Sequence, residues 1–146
     1  MNSKLILAVL GSTASALKLQ HLNDCECLDM TPGLRCADDQ GVNCTFDWAD
    51  DECNIFEYDA GYGLSCEAHD DGLAPFCDGE GSAESCGLKW CYVSEACTAT
   101  DKALSNIPEL AEAGIYYSYE TCGEEPQVFG ESSDYGNLDL CLAEEA

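Results

Sequence analysis

Basic side chains are nearly missing from this chain: Lys and Arg together number five, against 29 Asp and Glu, for a formal net charge of −24. So acidic a surface repels phosphate backbones and anionic headgroups, which excludes nucleic acid as a partner and speaks against acidic membranes. Histidine is scarcer still. With only His21 and His69, a catalytic triad has little to draw on. Long apolar runs are missing too, since the stretch Leu5 to Leu10 falls far short of the ~20 residues that cross a bilayer. No two cysteines stand at Cys-x-x-Cys spacing, so a zinc site lacks its usual ligand pair.

What the chain does have is cysteine. Lys4, the apolar stretch after it and the small residues Ala14-Ser15-Ala16 have the pattern of a signal peptide over residues 1–16, cleaved after Ala16. A plastid address behind it would need a basic, acid-poor segment, whereas Asn23 and Asp24 follow soon after Lys18. Secretion is therefore expected. In that oxidising route the 12 cysteines, an even number, form a disulfide framework. They are Cys25, Cys27, Cys36, Cys44, Cys53, Cys66, Cys77, Cys86, Cys91, Cys97, Cys122 and Cys141. Between them lie turn formers such as Pro32-Gly33, Asp71-Gly72 and Asp78-Gly79, leaving room for few regular elements. The expected fold is small and disulfide-rich, with irregular loops, a few short β-strands and one or two short helices.

Three pieces carry a pattern. Lys89 to Val93 alternates, placing Trp90 and Tyr92 on one face of a short strand and Cys91 and Val93 on the other. Ile115 to Thr121 is rich in β-formers and aligns Ile115, Tyr117 and Tyr119. Between them, Thr100 or Asp101 is placed to cap a helical turn, and Pro108 to Gly114 suits a second short helix. The stretch from Glu124 to Ala146 is acidic and without period, a composition of disorder, except that Cys141 ties it back.

The string Tyr62-Gly63, Cys66, Pro75, Cys77, Cys86-Gly-Leu-Lys-Trp90-Cys91-Tyr92-Val93, Cys97 and Tyr116-Tyr117-Ser118-Tyr119-Glu120-Thr121-Cys122 resembles a cysteine-rich extracellular module of secreted and surface proteins in algae and related protists. That resemblance spans residues 62–123. It implies a structural or recognition module without catalysis. The organisation expected is then a signal peptide (1–16), an N-terminal cysteine-rich segment (17–61), the module (62–123) and an acidic tail (124–146). The module holds six cysteines, and the N-terminal segment's five make another six with the tail's Cys141; each set can close internally, with fifteen pairings open in each. Cys25 and Cys27, one residue apart, are expected to choose different partners. Trp90, Tyr92, Tyr117 and Tyr119 can stack as core aromatics beside the bridges, or form a patch for a sugar or peptide.

Other candidates are weaker. Asn43-Cys44-Thr45 is an N-glycosylation acceptor at Asn43. Cys66-Glu-Ala-His69-Asp70 resembles the string in which secreted phospholipases A2 hold their general base, but the neighbouring cysteines and a glycine-rich calcium loop are absent. Acidic clusters at Asp47, Asp50, Asp51 and Glu52, at Asp70 and Asp71, and at Asp78, Glu80 and Glu84 offer oxygens to calcium without EF-hand spacing, at low affinity at most. No cofactor is otherwise implied. The expected function is that of a secreted, acidic structural or interaction protein of the cell surface or extracellular matrix, not an enzyme, partnered by an extracellular protein or glycan. The alternatives are a weak calcium-binding adhesive or mineral-associated protein, and a secreted hydrolase or toxin.

Overall fold

A computed structural model of the chain describes residues 25–128 and 135–145. The signal peptide expected over 1–16, and His21, lie outside the described residues. Six disulfides, short strands and two helices make this a small disulfide-rich fold.

The first sheet comes from the segment that sequence patterning left as loop. Strand β2 (Cys44–Asp50) alternates, so that Phe46 and Trp48 point inward at 2% exposure each while Thr45 and Asp47 stay partly solvated. Strand β1 (Leu34–Cys36) and strand β3 (Ile55–Asp59) pair antiparallel with β2 on either side. Aspartates build the connections. Asp38 accepts the backbone N–H groups of Gln40, Val42 and Asn43 in the β1–β2 loop, and Asp50 accepts those of Glu52 and Asn54 in the β2–β3 turn. For Asp50 the Asn54 side-chain amide adds the strongest such bond, and hydrogen bonding holds both carboxyl groups below their ordinary value.

The second sheet has the order β4 (Cys91–Val93), β6 (Tyr116–Ser118), β5 (Ala103–Leu104). Its two faces differ as the alternation predicts. Trp90, Tyr92 and Tyr119 join the aromatic core, while Cys91 and Val93 pack with Cys97, Cys25, Cys27 and Cys122 on the far side. Pro108 opens a one-and-a-half-turn helix, α1 (Pro108–Glu112), its fixed φ suiting a position whose N–H has no helical partner.

The helical turn expected after Thr100 is instead a turn and a strand. Asp101, rather than capping a helix, turns its carboxylate into the protein at 6% exposure. There it accepts the Ser118 hydroxyl at 2.7 Å and the backbone N–H groups of Tyr119, Glu120 and Gln127 at 3.0, 3.0 and 3.3 Å. Ala103 and Leu104 are thereby laid along β6. Replacing Asp101 by Asn keeps the volume but removes the charge that strengthens the three N–H bonds and turns the acceptor facing Ser118 into an NH2 donor, which should cost about 2 kcal/mol. Urea unfolding of Asp101→Asn measures this, and an unshifted midpoint would contradict it.

The acidic tail is not structureless where it is described. Strand β7 (Tyr135–Gly136) pairs with Ala49 and Asp50 of β2, and helix α2 (Leu138–Glu145) follows. Asn137 accepts the Leu140 N–H at the helix start. Leu138 and Cys141 bury against Ala49, which gives an acidic helix the apolar anchor its composition hides.

The bridges are Cys25–Cys97, Cys27–Cys91, Cys36–Cys44, Cys53–Cys141, Cys66–Cys122 and Cys77–Cys86, and no described cysteine is free. Cys141 reaches back to the N-terminal segment, and Cys25 and Cys27 take different partners, as expected. The two sets of six do not close internally, however. The backbone N–H of Leu28 donates to the Tyr92 carbonyl at 2.9 Å, laying residues 25–28 beside β4, so that Cys27 meets Cys91 and Cys25 meets Cys97. The core likewise ignores the boundary at residue 62: Phe46 and Trp48 pack in one cluster with Trp90, Tyr92, Ile107, Leu110 and Tyr119.

Candidate functional site

The aromatic side chains of the two sheets do not fill all the space between them. A cavity of about 340 Å³ remains, at the lower end of the range for small-molecule sites, roughly 300 to 1,000 Å³. Strand β2 supplies Trp48, β3 supplies Tyr58, and β7 supplies Tyr135. Trp48 packs against Tyr135 with ring centroids 5.0 Å apart and against Phe76 at 6.1 Å. Phe76 is 47% exposed, so an aromatic ring stands at the mouth. The lining continues through Tyr62, Trp90 and Tyr92, with centroids 5.3 Å apart for Tyr62 and Trp90 and 5.0 Å for Trp90 and Tyr92. Such edge-to-face packing fixes ring orientation as well as position.

One carboxylate enters this aromatic lining. Asp70 accepts the Tyr62 hydroxyl on Oδ1 at 2.5 Å and the Trp90 indole N–H on Oδ2 at 2.9 Å, so it is held by the rings it sits between. Burial pushes its carboxyl above the ordinary value of 3.8, against the opposing pull of those two hydrogen bonds and of neighbouring His69. The tyrosines respond in the same direction, through burial first and the Asp70 charge after it: Tyr58 is pushed up to about 12, and Tyr62 and Tyr92 well above 10.0. Their hydroxyls therefore stay protonated as donors, Tyr58 to the Ala74 carbonyl at 2.5 Å. The Trp48 N–H lies near enough to influence the Tyr58 hydroxyl but meets no acceptor with hydrogen-bond geometry.

The raised Asp70 carboxyl makes a pH prediction. The folded state holds this proton more tightly than the unfolded chain, so stability falls as pH rises from 3.8 through the folded value. Asp70→Asn lacks that slope, while the opposite contributions of Asp38 and Asp50 cancel in the comparison. The stability of wild type relative to Asp70→Asn should thus decline with rising pH across this acidic window; a constant difference in thermal midpoint would contradict the assignment.

The four aromatics singled out from the sequence are brought together here. Trp90, Tyr92, Tyr117 and Tyr119 all line the cavity, but Trp90, Tyr92 and Tyr119 are at most 6% exposed, so they form a wall and not a surface patch. The alternation in Lys89 to Val93 found that wall. Trp48 of β2, which also lines the cavity, was missed, although Phe46 and Trp48 in Cys44 to Asp50 carry the same period-two signal.

The other candidates lie elsewhere. Asp47 takes the Thr45 hydroxyl and sits 4.0 Å from Arg35, Asp50 is engaged in its own turn, and Asp51, Glu52, Asp71, Asp78, Glu80 and Glu84 are exposed. Among the described residues no three carboxylates converge closely enough to share an ion; the one tight group of potential ligands is Cys27, Cys66, Cys91 and Cys122, already consumed in two bridges. Asn43 is exposed, but its amide nitrogen donates to Asp38 at 2.9 Å, and the Cys36–Cys44 bridge closes beside it. The His69 ring nitrogen Nε2 pairs with the Ser65 carbonyl at 2.7 Å, and its ring packs edge-on against Tyr62 and Trp90. Among the described residues no helix is long and apolar enough to cross a membrane.

The chain matches no protein-family model, no curated protein and no solved structure.

Proposed function

We propose that the protein is a secreted, disulfide-locked interaction protein of the cell surface or extracellular matrix, and that its working part is the aromatic cavity. The observation that carries this reading is a preformed 340 Å³ space whose walls are rings fixed by packing and whose one carboxylate is fixed by two of them. Preorganised walls lose little freedom on binding. Six bridges support an oxidising, extracellular setting, as does the resemblance of residues 62–123 to a surface module of protists.

The same geometry favours binding over catalysis. His69 and Asp70 do not orient one another, because His69 is paired with Ser65 and both Asp70 oxygens are taken by ring donors. Both tryptophans of the chain, Trp48 and Trp90, line the cavity, so their emission reads occupancy directly. Titration with uncharged sugars, organic amines, aliphatic alcohols and short peptides at millimolar concentration should give a saturable emission change with at least one class, together with a raised melting temperature. Emission and melting unmoved by every class would make the cavity a packing void and end this reading.

A further inference from the structure

We propose that the cavity takes a substituted ammonium cation, of the trimethylammonium type, as the ligand of the binding function inferred above. This inference rests on that reading of the cavity and adds the chemistry of the occupant.

Asp70 is the starting point, because a partly buried carboxylate ordinarily has a cationic partner and no Lys or Arg lines the cavity beside this one. The described basic residues are committed elsewhere. Arg35 pairs with Asp139 at 2.9 Å and approaches Asp47, Lys102 donates to the Glu95 carbonyl and lies over the Tyr116 ring, and Lys89 is exposed. None of them lines the cavity. His69 stands next to Asp70 in the chain, and its Nε2 is paired with the Ser65 carbonyl.

The type of cation follows from what the walls offer. A hard metal ion takes six or more oxygens, and a bare ammonium group has three N–H donors to satisfy. Each Asp70 oxygen already accepts a ring donor, so the carboxylate contributes charge more than hydrogen-bonding capacity. A fully substituted ammonium needs no acceptor and presents methyl groups to a lining that includes the rings of Trp48, Phe76, Trp90 and Tyr135, surroundings that attract a cation through their π-systems. The net charge of −24 draws such a ligand in from solution.

The test compares choline with 3,3-dimethylbutan-1-ol, its neutral carbon isostere, in tryptophan-emission titrations at fixed ionic strength. Choline is expected to bind at least tenfold more tightly. Asp70→Asn preserves a group that can still pair with Tyr62 and Trp90 and should shrink that preference about tenfold, with circular dichroism and melting showing that the variant is folded. Parallel titrations with a trimethyl-lysine peptide and with phosphatidylcholine vesicles identify the source of the group by whichever binds most tightly. Equal affinity for choline and its isostere, or a preference that survives in Asp70→Asn, would overturn the cation proposal while leaving the cavity a binding site. So would silence from all trimethylammonium probes when another class in the wider panel binds. Silence from every class would remove both readings.

Discussion

A Cys25→Ser/Cys27→Ser/Cys91→Ser/Cys97→Ser variant, which removes both bridges of the N-terminal segment, is expected to unfold at least about 4 kcal/mol more easily than the native chain, against about 2.5 kcal/mol for Cys36→Ser/Cys44→Ser, as read from urea midpoints. The difference comes from the unfolded state. Cys27–Cys91 closes a span of 64 residues and Cys36–Cys44 one of 8, and the conformational freedom a bridge removes grows with the logarithm of the loop it closes. The short bridge joins directly opposed residues of β1 and β2, whose register the strand hydrogen bonds already set. The long one holds residues 25–28 against β4, where the described backbone contact is the single hydrogen bond from Leu28 to Tyr92. Equal losses from the two variants would mean that the N-terminal segment is held by something other than its bridges.

The single variant Cys27→Ser should behave differently from the double variant Cys27→Ser/Cys91→Ser. The sulfurs of Cys27, Cys66, Cys91 and Cys122 all lie within 4.8 Å of one another, so the thiolate left on Cys91 is beside the Cys66–Cys122 bridge. Its attack on one of those sulfurs forms a new bridge and releases the other as a thiolate. Peptide mapping by mass spectrometry should therefore find Cys91 joined to Cys66 or Cys122 in part of the single variant and in none of the double. A single, native-like Cys66–Cys122 pairing in Cys27→Ser would contradict this.

The division of the second sheet into an aromatic face and a sulfur face was legible in the sequence, because five residues from Lys89 to Val93 alternate rings and small groups with period two. The disulfide-rich class was equally legible, since cysteine count and spacing leave few alternatives. The pairing was not. Parity suggests two closed sets, but pairing depends on which backbones run side by side, and nothing local in Cys25-Glu-Cys27 says that this segment lies along β4. The tail misled for a related reason: charge dominates its composition, while Leu138 and Cys141, two residues among many acids, decide where it docks. Asp101 shows the limit most sharply. Before the fold is known it is a plausible helix cap, and only the return of Ser118 to Glu120, and then of Gln127, beside it makes it the acceptor of four hydrogen bonds. The cavity has the same origin, because Trp48, Tyr58, Phe76 and Tyr135 come from four separate segments that sequence spacing does not connect.

Gly63→Ala is expected to cost about 3 kcal/mol, although it adds one methyl group, because two penalties coincide there. Gly63 has φ of +76°, a left-handed conformation that costs an L-residue about 1 to 2 kcal/mol. Its new Cβ would also stand 2.3 Å from Cδ2 and Cε2 of Tyr92 and 3.2 Å from Trp90. Both rings are nearly inaccessible, at 2% and 4% exposure, and the Gly63 carbonyl accepts the Tyr92 N–H at 2.7 Å, so neither ring nor loop can withdraw freely. Gly72 separates the two penalties. Its φ is +75° with nothing within 4 Å of the added carbon, so Gly72→Ala should pay only the backbone cost of about 1 to 2 kcal/mol. The excess in Gly63→Ala measures how rigidly the loop is packed on the Tyr92 and Trp90 wall, and the displaced Trp90 should shift the emission spectrum as well. Should the two variants prove equally stable, that wall would be soft, and the case for a cavity shaped in advance of its ligand would fall with it.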